Sequence, residues 1–205
     1  MDEIIARSNL YALLSRILLQ ELDVERLEIL RSDAIVLEFM PHWRDWELRE
    51  DTDAQKLLEE YLNPDFTNLS LLHLVPYETF YTRSDQMIET GGANPVTDIY
   101  SAYDFLVDYE VARVVSSDHI GIEMEFMHHL CEAQLKATEE GDQEAVQELI
   151  RVQYEFLNTH LLRWAPMYLI NMKYESRTPL YYDTAEMALE FILSDNETLS
   201  GLVQA

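Results

Sequence analysis

Residues 116–136 read SSDHIGIEMEFMHHLCEAQLK, and they place an Asp-His pair, two glutamates and two further histidines close together in the chain. Serine often precedes a helix and glycine often follows one, so we predict a long helix opened by Ser116 or Ser117 and closed by Gly141. Apolar residues recur within it at intervals of three and four, the period of a helix with one buried face. The stretch therefore predicts a helical fold, and its acids and histidines need an explanation.

The rest of the chain shows the same helical period on both sides of this stretch. The first helix carries it as a stripe of Ile4, Ile5, Leu10, Leu13, Leu14, Ile17 and Leu18. Five glycines and few alternating patterns argue against strands, and the clearest loop is TGGANPVTD at residues 90–98. We predict an all-α, single-domain helical bundle of roughly eight or nine helices over residues 1–205. The predicted helices cover residues 2–22, 23–40, 51–63, 65–75, 97–115, 116–141, 142–165, a new helix starting at Pro166, and 178–195.

Length and composition indicate where the protein works. The chain has 205 residues, 48% of them hydrophobic, which is enough for one buried core. Its single cysteine, Cys131, cannot form an intrachain disulfide and is expected to be a buried thiol. The start of the sequence lacks a basic export signal, and no run approaches the roughly 20 apolar residues of a membrane span. We therefore expect a cytoplasmic protein.

The charge of the chain is strongly negative. It has 39 acidic and 14 basic residues, a formal net charge of -25, which would repel a nucleic-acid backbone. A salt-loving source is an alternative cause, although glutamate outnumbers aspartate and large apolar residues are plentiful. The charge excludes nucleic acid as the expected partner and favours a cationic one.

The sequence does not encode a recognisable active site. A di-iron centre in a helical bundle needs the Glu-x-x-His unit twice, and this chain has it once, at Glu125 and His128. Glu155 and His160 lie five residues apart and so point to different faces of a helix. The strings of zinc proteases, nucleophile elbows and phosphate-binding loops are also missing. We predict that the protein is not an enzyme, holds no metal and needs no cofactor, and that His128 and His129 are surface histidines.

The start of the predicted long helix carries three unusual polar residues. Asp118 is expected in the first helical turn, where it would cap the helix and asparagine could replace it. His119 is expected to be a hydrogen-bonded structural histidine. Glu123 shares the apolar stripe with Ile120 and Met127, so its carboxylate must find a partner or keep contact with water.

Several blocks of the sequence resemble one protein family. SDHIGIEMEFMHHL is similar to the Asp-His-Ile-Gly-x-Glu-x-x-Phe-Met signature of the TorD/DmsD/NarJ family, the cytoplasmic chaperones that mature molybdenum oxidoreductases. YETFY from Tyr77, PVTDIY from Pro95 and FLNTHLLRWAPMY from Phe156 resemble further family blocks in the same order. Together the blocks extend from about residue 70 to the C-terminus. The chain departs from the family pattern at Ser116-Ser117, where a proline is common, and in the proline loop at residues 96–98.

The resemblance implies a helical bundle, sometimes seen as a swapped dimer, that binds a client protein. The implied client is the apo form of a molybdenum oxidoreductase catalytic subunit, held by its twin-arginine leader or by its body so that export waits for cofactor insertion. Which oxidoreductase is served stays open. The implied client-binding residues are Tyr77, Phe80, Pro95, Tyr100, Asp118, His119, Glu123 and Phe126.

Alternatives remain for these residues and for the function. Core packing is the usual role of aromatic residues at helical spacing, and it is the alternative for the four aromatic residues of this set. Trp164 and His160 are expected to be structural and to lock two helices together near Pro166. A weak guanine-nucleotide site, or an interaction module of an electron-transfer complex without leader recognition, are the alternative functions.

Overall fold

The computed structural model describes residues 1–204 and is 76% helical. Within these residues the β-type pairing is a single isolated antiparallel bridge between Tyr77 and His119. The all-α prediction is confirmed, but the predicted number of helices is too low, because the described chain has twelve. They are α1 (Asp2–Leu19), α2 (Val24–Ser32), α3 (Ala34–Phe39), α4 (Pro41–Arg44), α5 (Glu47–Asp51), α6 (residues 54–72), α7 (Glu78–Thr82), α8 (Thr97–Ala102), α9 (Tyr109–Ala112), α10 (Ile120–Glu140), α11 (residues 143–175) and α12 (Pro179–Gln204).

Two prolines lie inside helices that were predicted to end or begin at them. Helix α6 continues through Pro64, and Pro166 lies within α11 rather than at the start of a new helix. A π-helical turn precedes each proline, at Leu58–Leu62 and at Leu157–Leu161. A proline ring clashes with the carbonyl four residues earlier in a regular α-helix, and the wider π turn leaves room for it. The two interpretations from sequence are therefore wrong for the same reason.

Two predicted helices are each divided by an aspartate that caps the following helix. Residues 23–40 form α2 and α3, because the Asp33 carboxylate accepts hydrogen bonds from the backbone of the first α3 turn at 2.9 and 3.1 Å. Residues 97–115 form α8 and α9, and the Asp108 carboxylate caps α9 in the same way. Aspartate favours such local bonds over continued helix, so each long helix becomes two short ones.

The chain divides into two compact units. Unit 1 comprises Met1–Leu19, Tyr77–Pro166 and the residues from Phe191 on, and unit 2 comprises Gln20–Pro76 and Met167–Glu190. Both units contain residues that are distant in sequence. The expectation of one domain over residues 1–205 stays a prediction.

A buried ion pair joins the first and last helices within unit 1. The Arg7 guanidinium pairs with the Asp195 carboxylate, donates to Gln153 Oε1 at 2.7 Å, and lies beside the Tyr11 hydroxyl, which donates to Asp195 at 2.6 Å. The inward face of α1 is therefore partly polar. It differs from the predicted apolar stripe, whose member Ile5 is exposed. Partners on distant helices make a buried arginine tolerable at this position.

Two buried side chains of unit 2 form hydrogen bonds with backbone groups of distant residues. The buried Asp65 carboxylate accepts hydrogen bonds from the backbone N–H groups of Arg177 and Thr178, at 3.0 and 2.8 Å, just before α12 begins. Trp43 is fully buried and donates its indole N–H to Leu30 O at 3.0 Å. These bonds join α6 to the residues before α12, and α4 to α2, beside the buried apolar side chains of α6.

Helices α1 and α10 approach closely at Gly121, the glycine of the Asp-His-Ile-Gly string. A Cβ atom at this position would lie 2.8 Å from Leu19 Cβ and 3.1 Å from Leu19 Cα, closer than van der Waals contact allows. Glycine is therefore required here for packing.

Gly121→Ala is expected to lower the free energy of unfolding by about 1–3 kcal/mol, because one of the two helices must move. Urea unfolding followed by circular dichroism measures this. Gly201→Ala is the matched control. No atom lies within 4 Å of its added Cβ, so the replacement should leave stability unchanged or raise it by up to about 1 kcal/mol. Equal effects of the two replacements would contradict the packing argument.

Candidate functional site

The Asp118 carboxylate is fully buried and lies before α10 rather than in its first turn. Its Oδ2 atom accepts hydrogen bonds from Thr79 N at 2.8 Å and Thr79 Oγ1 at 2.6 Å. Its Oδ1 atom accepts from Asn94 Nδ2 at 3.0 Å and from the Ser116 hydroxyl. The predicted role of Asp118 as a cap of its own helix is therefore wrong. The carboxylate instead joins α7, the loop around Asn94 and the residues before α10.

His119 is the residue that caps α10, in place of the predicted Ser116 or Ser117. Its Nδ1 atom accepts the Gly121 backbone N–H at 3.0 Å, which requires a ring nitrogen without a proton. Burial lowers the pKa of His119 to about 3, with the neighbouring Asp118 charge acting in the opposite direction. The ring also meets the Tyr77 ring edge to face at 5.0 Å between centroids. His119 is thus a neutral structural histidine, as predicted.

Glu123 finds its partner on α11. Trp164 Nε1 donates to Glu123 Oε2 at 3.2 Å, while Oε1 is buried without a hydrogen-bond partner. Burial raises the pKa of Glu123, and the nearby Glu78 and Asp118 charges raise it further. Glu78 is also buried, and His160 Nδ1 lies 2.9 Å from its Oε2. Trp164 and His160 therefore join α11 to α10 and α7, the structural role predicted for them.

The aromatic residues of the predicted site form one buried cluster. Tyr100 and Phe126 have ring centroids 4.6 Å apart, and Phe126 packs on Phe156 at 4.9 Å. Tyr77, Tyr100, Asp118, His119, Glu123 and Phe126 are all buried, whereas Phe80 is half-buried and Pro95 is exposed. Most of the predicted client-binding residues therefore lie beneath the surface in this structure, where they can support a binding surface.

Residues 83–115, hereafter the 83–115 segment, are hydrogen-bonded to Asp118 through Asn94 and to Tyr77 through Val115. Five large side chains of this segment are exposed, and Leu106 is the most exposed at 88%. They are Met87, Leu106, Tyr109, Val111 and Val115. The sequence pattern missed this surface, because residues 97–115 were assigned to one helix with a buried face. The adjacent Pro95 and acidic residues were the available signals.

The predicted surface histidines are half-buried and hydrogen-bonded. His128 Nδ1 lies 2.8 Å from Ser8 Oγ, and His129 Nε2 lies 2.9 Å from Tyr103 O. Each therefore ties α10 to a neighbouring segment.

One group of metal-binding side chain types occurs in the described residues. His42, Asp183 and Glu186 of unit 2 have ligand atoms within 4.8 Å of one another. Both Asp183 oxygens already accept hydrogen bonds, from His42 Nδ1 at 2.7 Å and from Trp43 N at 2.8 Å, and Lys173 pairs with Glu186. These contacts explain the group, and the absence of a metal stays a prediction.

Comparison with known proteins defines the class of this protein. The chain is 29% identical over 162 residues to the chaperone protein TorD of Vibrio cholerae serotype O1 (strain O395), covering 77% of this chain and 69% of that protein. It is 23% identical over 157 residues to the TorD chaperone of Vibrio atlanticus (strain LGP32), covering 75% and 68%. No solved structure matches. The class is that of a chaperone rather than an enzyme.

The family follows from a match over most of the chain. Residues 33–169 match the family model described as nitrate reductase delta subunit, and the chain belongs to this family. The resemblance read from the Asp-His-Ile-Gly block is thereby confirmed. No helix in residues 1–204 has the length and apolar character to span a membrane.

Asp118→Asn is expected to lower the free energy of unfolding by about 1–3 kcal/mol. All four groups that face the carboxylate donate hydrogen bonds, so the NH₂ group of asparagine must oppose a donor. Urea unfolding tests this, with the exposed Asp98→Asn as a control that should change stability by less than about 0.5 kcal/mol. An unchanged stability in Asp118→Asn would restore the capping role.

His119→Asn is expected to remove a specific pH dependence of stability. The folded-state pKa of His119 is about 3, below the usual 6.5, so the unfolded chain binds more protons as the pH falls below about 6.5. Between about pH 7.5 and about pH 5 the wild type should lose about 2 kcal/mol more stability than His119→Asn. Asparagine keeps an oxygen that can cap α10. Parallel losses in urea unfolding at the two pH values would show that His119 does not have a depressed pKa.

Proposed function

We propose that this protein is a cytoplasmic chaperone that binds the twin-arginine leader of a molybdenum oxidoreductase catalytic subunit before cofactor insertion. Bound in this way, the leader is withheld from export until the enzyme is mature. The proposal rests on family membership and on one observation, the exposed apolar side chains of the acidic 83–115 segment. The body of the same subunit is a further contact surface for the chaperone.

The apolar side chains of the segment match the apolar part of a leader. Burying roughly 500 Å² of apolar surface contributes on the order of 12 kcal/mol, before the cost of ordering the peptide reduces it. Exposed apolar side chains such as Leu106 and Val111 need no rearrangement of the core to make such contacts. Apolar contact therefore supplies most of the affinity.

The charge of the segment matches the basic part of a leader. Within residues 83–115 there are six acidic and two basic side chains. Exposed pairs between carboxylates and arginine contribute only about 0.2–1 kcal/mol each and are screened by salt. The acidic residues therefore govern the rate and selectivity of association more than its strength.

The buried residues of the predicted site connect to this surface. Asn94 donates to Asp118, Val115 N donates to the Tyr77 hydroxyl at 3.3 Å, and the Tyr109 hydroxyl is hydrogen-bonded to Ser117 Oγ. The side chains of Asn94 and Tyr109 thus tie the segment to the residues before α10, and the backbone of Val115 ties it to Tyr77. In this proposal Asp118 and Tyr77 position the client-binding surface, and the exposed side chains touch the client.

Leu106→Ser is expected to weaken binding of a twin-arginine leader peptide by about tenfold. The replacement removes an exposed apolar contact that the peptide would bury, and its 88% exposure means that folding loses little. Fluorescence anisotropy with a labelled peptide, made of an Arg-Arg pair followed by an apolar run, measures the affinity.

Ile35→Ser is the matched control, because Ile35 is an exposed apolar residue of unit 2. This variant should bind the peptide as the wild type does. Higher salt should slow association of all three proteins more than it changes dissociation. Equal losses in Leu106→Ser and Ile35→Ser would show that the 83–115 segment is not the leader site.

A further inference from the structure

Arg83, at the start of the 83–115 segment, pairs with two carboxylates of its own chain. Its Nε and Nη2 atoms donate to the two oxygens of Asp85 at 2.9 and 2.7 Å, the two-bond geometry typical of arginine on a carboxylate. Its Nη1 atom donates to Glu89 Oε2 at 2.5 Å. A complete guanidinium is therefore seated on Asp85 and Glu89.

The two carboxylates are held in place by bonds that do not involve Arg83. The Glu89 carboxylate accepts the Gly91 backbone N–H on Oε1 at 3.0 Å, and the Glu89 backbone is held by Thr79 Oγ1 and Asn94 Nδ2. Asp85 Oδ1 also accepts the Met87 N–H at 3.1 Å. Hydrogen bonds from Arg83, followed by the one from Met87 N, lower the pKa of Asp85 to about 2. The bonds from the Met87 and Gly91 N–H groups therefore hold one oxygen of each carboxylate without help from Arg83.

The pairing is accessible and open to exchange. The Arg83 and Asp85 side chains are 39% and 49% exposed, and pairs this exposed contribute little to stability. An incoming arginine would restore every bond that Arg83 gives up, so the exchange conserves hydrogen bonds. Met87, between the two acids, is exposed and offers an apolar contact for the residues that follow such an arginine.

We propose that Arg83 is an internal substitute for a client arginine, and that a leader arginine binds Asp85 and Glu89 by displacing the Arg83 guanidinium. This inference rests on the proposed function and specifies the place and the competitor of the leader's basic part. Arg83 then lowers the affinity of the chaperone for every leader, because each leader arginine must compete with it for the two carboxylates. Lysine cannot reproduce the two-bond geometry, so an Arg-Arg leader is favoured over a Lys-Lys leader.

The test is to free the two carboxylates and measure the affinity for a leader. Fluorescence anisotropy with the labelled Arg-Arg leader peptide compares wild type, Arg83→Gln, Arg83→Lys and Arg113→Gln. Arg83→Gln should bind about threefold to tenfold more tightly than wild type. Arg83→Lys should show a smaller gain. Arg113→Gln removes the other positive charge of the same segment, so it reports the general effect of charge and should stay within about twofold of wild type.

A second set of variants shows whether the gain comes from these carboxylates. Adding Asp85→Asn and Glu89→Gln to Arg83→Gln should abolish the gain and the preference for Arg-Arg over a Lys-Lys peptide. Urea unfolding confirms that each variant is folded. If Arg83→Gln does not fold, the affinity of Arg83→Lys for the leader tests the displacement instead.

The outcomes separate this inference from the function on which it rests. If wild type binds the leader and the Arg83 variants bind no more tightly than Arg113→Gln, the displacement is wrong and leader binding stands. If neither wild type nor any variant binds the peptide, both the inference and the proposed function are wrong.

Discussion

The rest of the site in unit 1 depends on the hydrogen bonds to the buried Asp118 carboxylate. A carboxylate without water contact is stable only when several donors replace its hydration. Thr79, Asn94 and Ser116 supply them from three different parts of the chain. The backbone carbonyl of Asp118 also accepts the Glu78 N–H at 2.9 Å, so α7 is attached to this residue twice. A single side chain therefore holds together the start of α10, α7 and the loop that bears the exposed surface.

The residues that follow Asp118 fix the start of α10 and its position against α1. His119 caps α10 with an unprotonated ring nitrogen, and Gly121 allows α10 to lie against Leu19 of α1. Three residues of the Asp-His-Ile-Gly string thus have structural roles. Asp118 accepts hydrogen bonds from three segments, His119 caps α10, and Gly121 allows the close contact between α10 and α1. Such a string can therefore identify the family through its structural contacts alone.

The buried acids of unit 1 are compatible because they are not all charged alike. Glu78 lies against His160, and the raised pKa of Glu123 favours its protonated form beside Trp164. A third buried acid, Asp118, is surrounded by neutral donors. This division keeps like charges apart in a region of low dielectric.

The sequence by itself determined the helical class, the end of α10 at Gly141, the family and the excess of negative charge. These properties follow from local spacing, from a glycine in the left-handed region with φ 76°, and from composition, none of which requires knowledge of distant residues. The buried position of Glu123 on an apolar stripe was also predictable, because neighbouring residues define that stripe.

Only the tertiary structure decided what Asp118 does, where the prolines fall and which surface is exposed. The donors to Asp118 lie at Thr79 and Asn94, up to 39 residues away, and a helix-cap reading could not anticipate them. Pro64 and Pro166 remain inside helices because a π turn precedes each. The exposure of Leu106 depends on the division of residues 97–115 into two short helices. Each of these features depends on contacts or backbone geometry that the spacing of apolar residues along the chain does not reveal. They are therefore determined by the folded structure as a whole rather than by the local sequence pattern.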